Sequence, residues 1–130
     1  MRILLVANGY PPSANGGVET YTYNLANMLV EGGHEVHVLC KHSDFARPDN
    51  ELQEDVVGRV HVTRIVNDFK QIENFEQTYR SPKIEELFRR SLMEKQRDLV
   101  HYNHLVGLSC QLPAISASAG IPAIFMIHDF

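Results

Sequence analysis

Three short groups of residues could do chemistry, and each lies where an apolar run gives way to polar residues. The first is Gly16-Gly17, which closes a loop and opens a helix-like pattern. A glycine pair there leaves backbone N–H groups unpaired at the positive end of a helix dipole. It also removes the Cβ that would hold a phosphate off the backbone and permits positive φ without strain. This is the chemistry of an anion site, although the same pair also suits a plain tight turn into a helix. The second group is Asn103-His104, after the run Asp98-Leu99-Val100-His101-Tyr102. The third is His128-Asp129, after Pro122-Ala123-Ile124-Phe125-Met126-Ile127. His128 could hydrogen-bond a hydroxyl or accept a proton, with the Asp129 carboxylate fixing its tautomer. The plainer reading has Asp129 capping a turn and His128 as a satisfied imidazole, since adjacent strand residues point to opposite faces. His101 and His104 lack a third ligand nearby, so no metal is expected.

The elements that must position these groups are legible from periodicity. Ile3-Leu4-Leu5-Val6-Ala7 is a strand buried on both faces, which implies a parallel sheet. Asn8-Gly9-Tyr10-Pro11-Pro12 breaks it. Val18, Tyr21, Leu25, Met28 and Leu29 then form one helical stripe over residues 18–31, ended by Gly32-Gly33. A second strand follows over 35–40, completing a right-handed βαβ unit. Residues 41–50 read as a surface loop. Residues 56–65 suit either a hairpin or one strand, and a single strand over 60–66 is favoured. The polar stretch 67–80, with Phe69, Phe75 and Tyr79, is either a cover over a site or a solvated excursion. Ser81-Pro82 starts a helix lined by Ile84, Leu87, Phe88 and Leu92, with Arg89, Arg90, Lys95 and Arg97 late in it, matching the dipole, and the Arg89-Arg90 pair read as a solvated face in preference to a binding patch. A strand over 98–102, a helix carrying Leu108, Leu112, Ile115 and Ala119, and a strand over 122–127 complete the chain. The fold expected is α/β: one Rossmann-like, doubly wound, mainly parallel sheet with helices on both faces, as a single domain over 1–130. In such a sheet ligands bind outside the carboxyl ends of the strands, where the three groups converge. The chain stops directly after a strand, so it reads as a piece of a longer protein.

Composition sets outer limits. The 130 residues are 44% hydrophobic and 22% charged, with net charge -4 and pI about 5.9. An acidic chain offers no global basic field, so nucleic acid is not an expected partner. No apolar run approaches membrane-span length. Cys40 and Cys110 lack metal-ligand spacing and read as buried, reduced, cytosolic thiols. The dinucleotide fingerprint G-x-G-x-x-G and the P-loop G-x-x-x-x-G-K-[ST] are both missing, which disfavours a plain NAD domain and nucleoside triphosphate hydrolysis.

Taken in order, the motifs resemble the N-terminal domain of family 4 (group 1) glycosyltransferases of the GT-B fold. The residues that carry the likeness are Met1-Arg2-Ile3-Leu4-Leu5-Val6, Tyr10-Pro11-Pro12, Gly16-Gly17-Val18-Glu19 and Gly33-His34-Glu35-Val36. It continues through Asp98-Leu99-Val100-His101, Asn103-His104-Leu105, Gly120-Ile121-Pro122 and His128-Asp129-Phe130. It covers nearly the whole chain and is weakest from Lys41 to Arg80.

The resemblance implies a retaining transferase that moves a sugar from a nucleotide-sugar donor to a glycan or lipid-linked acceptor, in polysaccharide or glycolipid synthesis. Two Rossmann-like domains would face each other across a cleft, and this chain would be the acceptor-side one, without the C-terminal nucleotide-sugar domain. Gly16 and Gly17 would approach the donor diphosphate. His128 would be the catalytic contact to the transferred sugar or acceptor hydroxyl. Tyr10, Asn103, His104 and Asp129 would shape the acceptor pocket. Neither a cofactor nor a metal is implied. The location implied is cytoplasmic, with peripheral association at the inner face of a membrane left open. The family's basic pair and paired glutamates belong to the C-terminal domain, so this chain alone is expected not to catalyse transfer. The alternative is a stand-alone flavodoxin-like ligand-binding or regulatory module.

Overall fold

The structure, a computed structural model, describes residues 1–128. Six strands form one sheet: β1 (Arg2–Ala7), β2 (Glu35–His42), β3 (Leu52–Val57), β4 (Val60–Val66), β5 (Leu99–Tyr102) and β6 (Ala123–Phe125). Their order is β3-β4-β2-β1-β5-β6, and every pairing is parallel except β3 with β4. The crossovers are α1 (Gly17–Glu31), α2 (Pro82–Glu94) and α3 (Leu112–Ser118).

Alternation along β1 explains why its run is apolar throughout. Ile3 and Leu5 join Tyr10, Ala26, Val36, Val38 and Val62 in a core beneath α1. Leu4 and Val6 face the other way, into a core with Phe88, Leu92, Tyr102 and Leu112 beneath α2 and α3. With both faces covered, neither parity of the strand tolerates a polar side chain. The doubly wound, two-faced sheet expected from the sequence is therefore present. Chain order reverses at β1, which pairs with β2 on one side and β5 on the other. Ligand crevices form at such a reversal.

Local chemistry fixes the helix ends. The Ser81 hydroxyl accepts from the Ile84 N–H at 3.2 Å and Pro82 occupies the first turn, so α2 begins as expected. Gly33, at φ +90, carries the chain out of α1. The Tyr102 hydroxyl donates to the Leu112 carbonyl at 2.9 Å, docking α3 on β5.

Several sequence expectations need correction. The strand expected over 60–66 is present as β4, but it is one arm of a hairpin whose other arm, β3, begins as early as Leu52, with the turn at Gly58 at φ +63. The α1 stripe is centred on Thr22 and Ala26, whereas Met28 is exposed. Arg97, expected late in the helix, lies beyond the end of α2 and is buried. Leu108 is buried in the loop before α3. The last strand covers only three residues and is exposed. Cys40 is buried as expected, but Cys110 is exposed.

Candidate functional site

At the carboxyl edge of the sheet, the loops after β5 and β6 meet the segment 69–79 around a cavity of about 590 Å³. Asn103, His104 and His128 all line it. Its remaining walls are mostly apolar, with Phe69, Phe75, Tyr79, Val106 and Ile127 contributing. The segment 67–80 is thus a wall of a site, with a short 3-10 turn at Phe75–Thr78 capped by the Asn74 side chain.

Asn103 is held from two sides. Its N–H donates to the Val6 carbonyl at 2.8 Å, continuing the β1–β5 pairing past the last strand residue. Its side-chain amide donates to the Thr22 hydroxyl on α1 at 3.1 Å, and Thr22 in turn donates to the Val18 carbonyl at 2.8 Å. The side-chain oxygen of Asn103 has no partner among the described residues, so a fixed buried acceptor remains for a ligand donor. His104 Nδ1 accepts from the Val106 N–H at 3.1 Å, which shapes the turn after β5.

His128 packs edge-on against Tyr21, with ring centroids 4.8 Å apart. Tyr21 stands one helical turn beyond Gly17, so α1 links the glycine pair to the histidine. His128 Nε2 is buried without a partner among the described residues. Beneath it, burial on β5 holds the His101 pKa below the ordinary histidine value, and the neighbouring His128 pushes the same way.

Gly16 is the N-cap of α1, and its carbonyl accepts from the Thr20 N–H at 2.9 Å. Its φ is -71, and Gly17 is helical, so neither needs the left-handed region; the positive-φ part of the sequence argument does not apply. Close approach remains. A Cβ on Gly17 would meet nothing within 4 Å, so the space over that N–H is open. A Cβ on Gly16 would come 2.5 Å from Glu19 Oε2, which shows the Glu19 carboxylate folded back over the helix start. Sequence reasoning quoted Glu19 without a role; its place three residues after the N-cap was the available signal.

Gly16, Gly17 and Tyr10 do not line the cavity that holds Asn103, His104 and His128. Tyr10 is fully buried beneath α1 beside Tyr23, ring centroids 5.9 Å apart, and burial pushes its hydroxyl pKa up to about 12. Asp129 lies outside the described residues. Among the described residues, no three His, Cys, Asp or Glu side chains are grouped to hold a metal, and no helix is long and apolar enough to cross a membrane.

A two-faced parallel sheet with a glycine-opened helix at its reversal is similar to the N-terminal domains of GT-B glycosyltransferases. Sucrose-phosphate synthase from Thermosynechococcus elongatus superposes with a TM-score of 0.63 at 17% identity, covering 98% of this chain and 33% of that one. Trehalose-6-phosphate synthase from E. coli, bound with UDP-2-fluoro glucose, gives 0.55 at 11% identity, covering 98% and 33%. In sequence, an uncharacterized 42.6 kDa protein in the cps region of Klebsiella pneumoniae is 30% identical over 125 residues, 85% of this chain and 32% of that protein. The family model Glycosyltransferase Family 4 matches residues 15–130. The chain belongs to glycosyltransferase family 4, and it spans about a third of the length of the relatives it matches.

Proposed function

We propose that the chain is the acceptor-side domain of a retaining glycosyltransferase that moves a hexose from a nucleotide-sugar donor to a glycan or lipid-linked acceptor, in polysaccharide or glycolipid synthesis. In this reading the bond from the anomeric carbon to the donor diphosphate breaks, the acceptor hydroxyl adds to that carbon from the same face so that configuration is retained, its proton passes to the departing diphosphate oxygen, and the diphosphate leaves with its remaining charge facing the N–H groups at Gly16 and Gly17. His128 holds a hydroxyl of the transferred sugar or the acceptor, aided by Asp129. Asn103, His104 and Tyr10 shape the acceptor side, Tyr10 by supporting the glycine loop from below. No metal or cofactor is assigned. A second, C-terminal domain supplies most of the nucleotide contacts, so the 130-residue chain alone is inactive. The protein works in the cytoplasm, at the inner face of the membrane when its acceptor is lipid-linked.

The observation that carries this reading is the shared cavity of Asn103, His104 and His128, with His128 packed on Tyr21 of the glycine-opened helix. The apolar walls at Phe69, Phe75 and Val106 support a lipid-linked or otherwise partly apolar acceptor. The test is an NMR titration of the labelled chain with UDP, GDP and their hexose conjugates, beside a transfer assay on the parent protein. Perturbations at Gly16, Gly17 and His128 with transfer by the parent are expected. A parent protein that transfers no sugar from any of these donors would overturn the reading.

A further inference from the structure

Thr22 lies on the face of α1 that meets the sheet, and it is buried together with Asn103 of the loop after β5. Its hydroxyl carries a single hydrogen. That hydrogen goes to the Val18 carbonyl one turn back in α1, at 2.8 Å, a common way for a helical threonine to satisfy its own donor. What remains is a lone pair directed across to the loop, where the Asn103 side chain meets it at 3.1 Å. A lone pair accepts and cannot donate, so only the NH2 end of the amide can occupy that contact. The opposite orientation would set the amide oxygen against the hydroxyl oxygen with no hydrogen between them. Thr22 therefore decides which way the Asn103 amide is turned.

The consequence falls on the cavity that Asn103 lines. With its NH2 end held at α1 and its backbone N–H held by the Val6 carbonyl, the amide oxygen is the end left over, buried and without a partner among the described residues. A buried carbonyl oxygen without a donor is costly, and a ligand O–H would remove that cost. The Thr78 hydroxyl, also in the lining, is already spent on the Phe75 carbonyl at 2.7 Å. His128 Nε2 is the other buried, unpartnered side-chain polar atom of the lining among the described residues, and of the two only the Asn103 oxygen depends on Thr22. No Asp, Glu, Lys or Arg lines the cavity among the described residues, and Phe75, Tyr79 and Val106 give it apolar walls. Such a lining fits an uncharged ligand with an apolar body and one hydroxyl.

We propose that Thr22 is a positioning residue that sets the hydrogen-bond polarity of this cavity: through the Asn103 amide it presents an acceptor, and so selects an apolar ligand bearing a hydroxyl over one whose oxygen carries no hydrogen. Applied to the sugar acceptor, this deepens the transferase reading and rests on it.

The test is an NMR titration of the labelled 130-residue chain with benzyl alcohol and with anisole, isomers that differ in whether the oxygen carries a hydrogen. Benzyl alcohol is expected to shift the Asn103 side-chain amide resonances saturably and to bind roughly fivefold tighter than anisole, the factor that one neutral hydrogen bond supplies. Thr22→Val keeps the shape and removes the hydroxyl, which frees the amide to turn and should bring the two affinities together. Thr22→Ser keeps the hydroxyl and should keep the preference. A packing role alone would not move the ratio, and the wild-type ratio and its retention in Thr22→Ser can be read even where Thr22→Val does not fold. Equal binding of the isomers by the wild-type chain, no saturable response, an unchanged ratio in Thr22→Val, or a ratio lost in Thr22→Ser would each overturn the proposal. No nucleotide sugar enters the titration, so its failure leaves the transferase reading standing, and a parent protein that transfers no sugar leaves the measured preference standing.

Discussion

The Arg64 guanidinium on β4 donates to the carbonyl of Pro11 at 3.0 Å, tying the loop after β1 to a strand two places away in the sheet. Its other terminal nitrogen pairs with Asp55 on β3 at 2.9 Å, and the arginine side chain is 6% exposed. The glycine loop is therefore braced by the hairpin. Arg64→Gln should lower unfolding free energy by about 1–3 kcal/mol, because the part-buried Pro11 carbonyl loses its donor while the half-exposed Asp55 recovers water. Urea denaturation measures that loss. Amide hydrogen exchange of residues 13–17 should quicken by more than the global destabilisation requires, and unchanged exchange there would show that the loop is held by other contacts.

The two glycines of the loop should separate in mutagenesis. Gly17→Ala places a methyl in open space at the first residue of α1, where alanine is the better helix former, so stability should rise by about 0.5 kcal/mol. The same methyl occupies the space a diphosphate needs, and nucleoside diphosphate affinity should fall roughly tenfold. Gly16→Ala should instead displace the Glu19 carboxylate, with a small change in melting temperature. Thermal melts and calorimetric titration on the same samples check both, and parallel losses of stability and binding in Gly17→Ala would contradict the argument.

What the sequence made legible follows from what its patterns encode. The run Ile3 to Ala7 and the stripe Ile84, Leu87, Phe88 and Leu92 report burial directly, so strand, helix and two-faced sheet were readable. The Ser81-Pro82 start was readable because a cap is a local interaction. The strand at 52–57 was not, because Leu52 and Val56 are exposed and Gln53, Glu54 and Asp55 are polar, which hides an edge strand that only needs backbone pairing. That Asn103, His104 and His128 would come together was readable because the carboxyl ends of parallel strands converge by topology. Arg64 and Tyr21 were missed as partners of the site because their roles depend on contacts 53 and 107 residues apart, which no local spacing records.

His128→Ala removes a side chain that touches Tyr21 and lines the cavity, and whose Nε2 is bonded to nothing else among the described residues. If the full-length protein transfers sugar as proposed, its kcat/KM should drop by roughly ten- to hundredfold, the equivalent of about 1–3 kcal/mol of transition-state contact. The melting temperature of the chain should change little, since only one ring contact is lost. A loss seen purely as a lower melting temperature, with transfer intact at low temperature, would make His128 structural.

Glu19 would oppose an anion bound at the start of α1. Its carboxylate lies over the start of α1, close to where the leaving diphosphate would sit. Glu19→Gln should tighten nucleoside diphosphate binding by about 1 kcal/mol, roughly fivefold, from removal of like-charge repulsion near the surface. The gain should shrink as salt is raised, because the site is exposed to screening. Titration calorimetry at two ionic strengths reads both effects, and weaker binding in Glu19→Gln would identify the carboxylate as a ligand contact instead.

His37 gives the fold an acid limit. Burial pushes its pKa down to about 4, helped by the positive charges of Arg97 and Lys95 and by His61. Its ring is a link in the Arg97-to-Glu54 hydrogen-bond chain, and a proton on Nδ1 would face the Arg97 guanidinium with two donors and no acceptor. The unfolded chain protonates this histidine near pH 6.5, the folded chain only near 4, so the unfolded state binds the extra proton between those values. The stabilisation is therefore complete above pH 6.5 and is lost as pH falls toward 4, by up to about 3 kcal/mol. His37→Gln keeps an acceptor for Arg97 and a donor for Thr63 while removing the titration. Denaturation measured from pH 7.5 to 4 should show a flatter pH dependence for the variant than for the parent chain. Equal slopes would place the acid sensitivity elsewhere in the molecule.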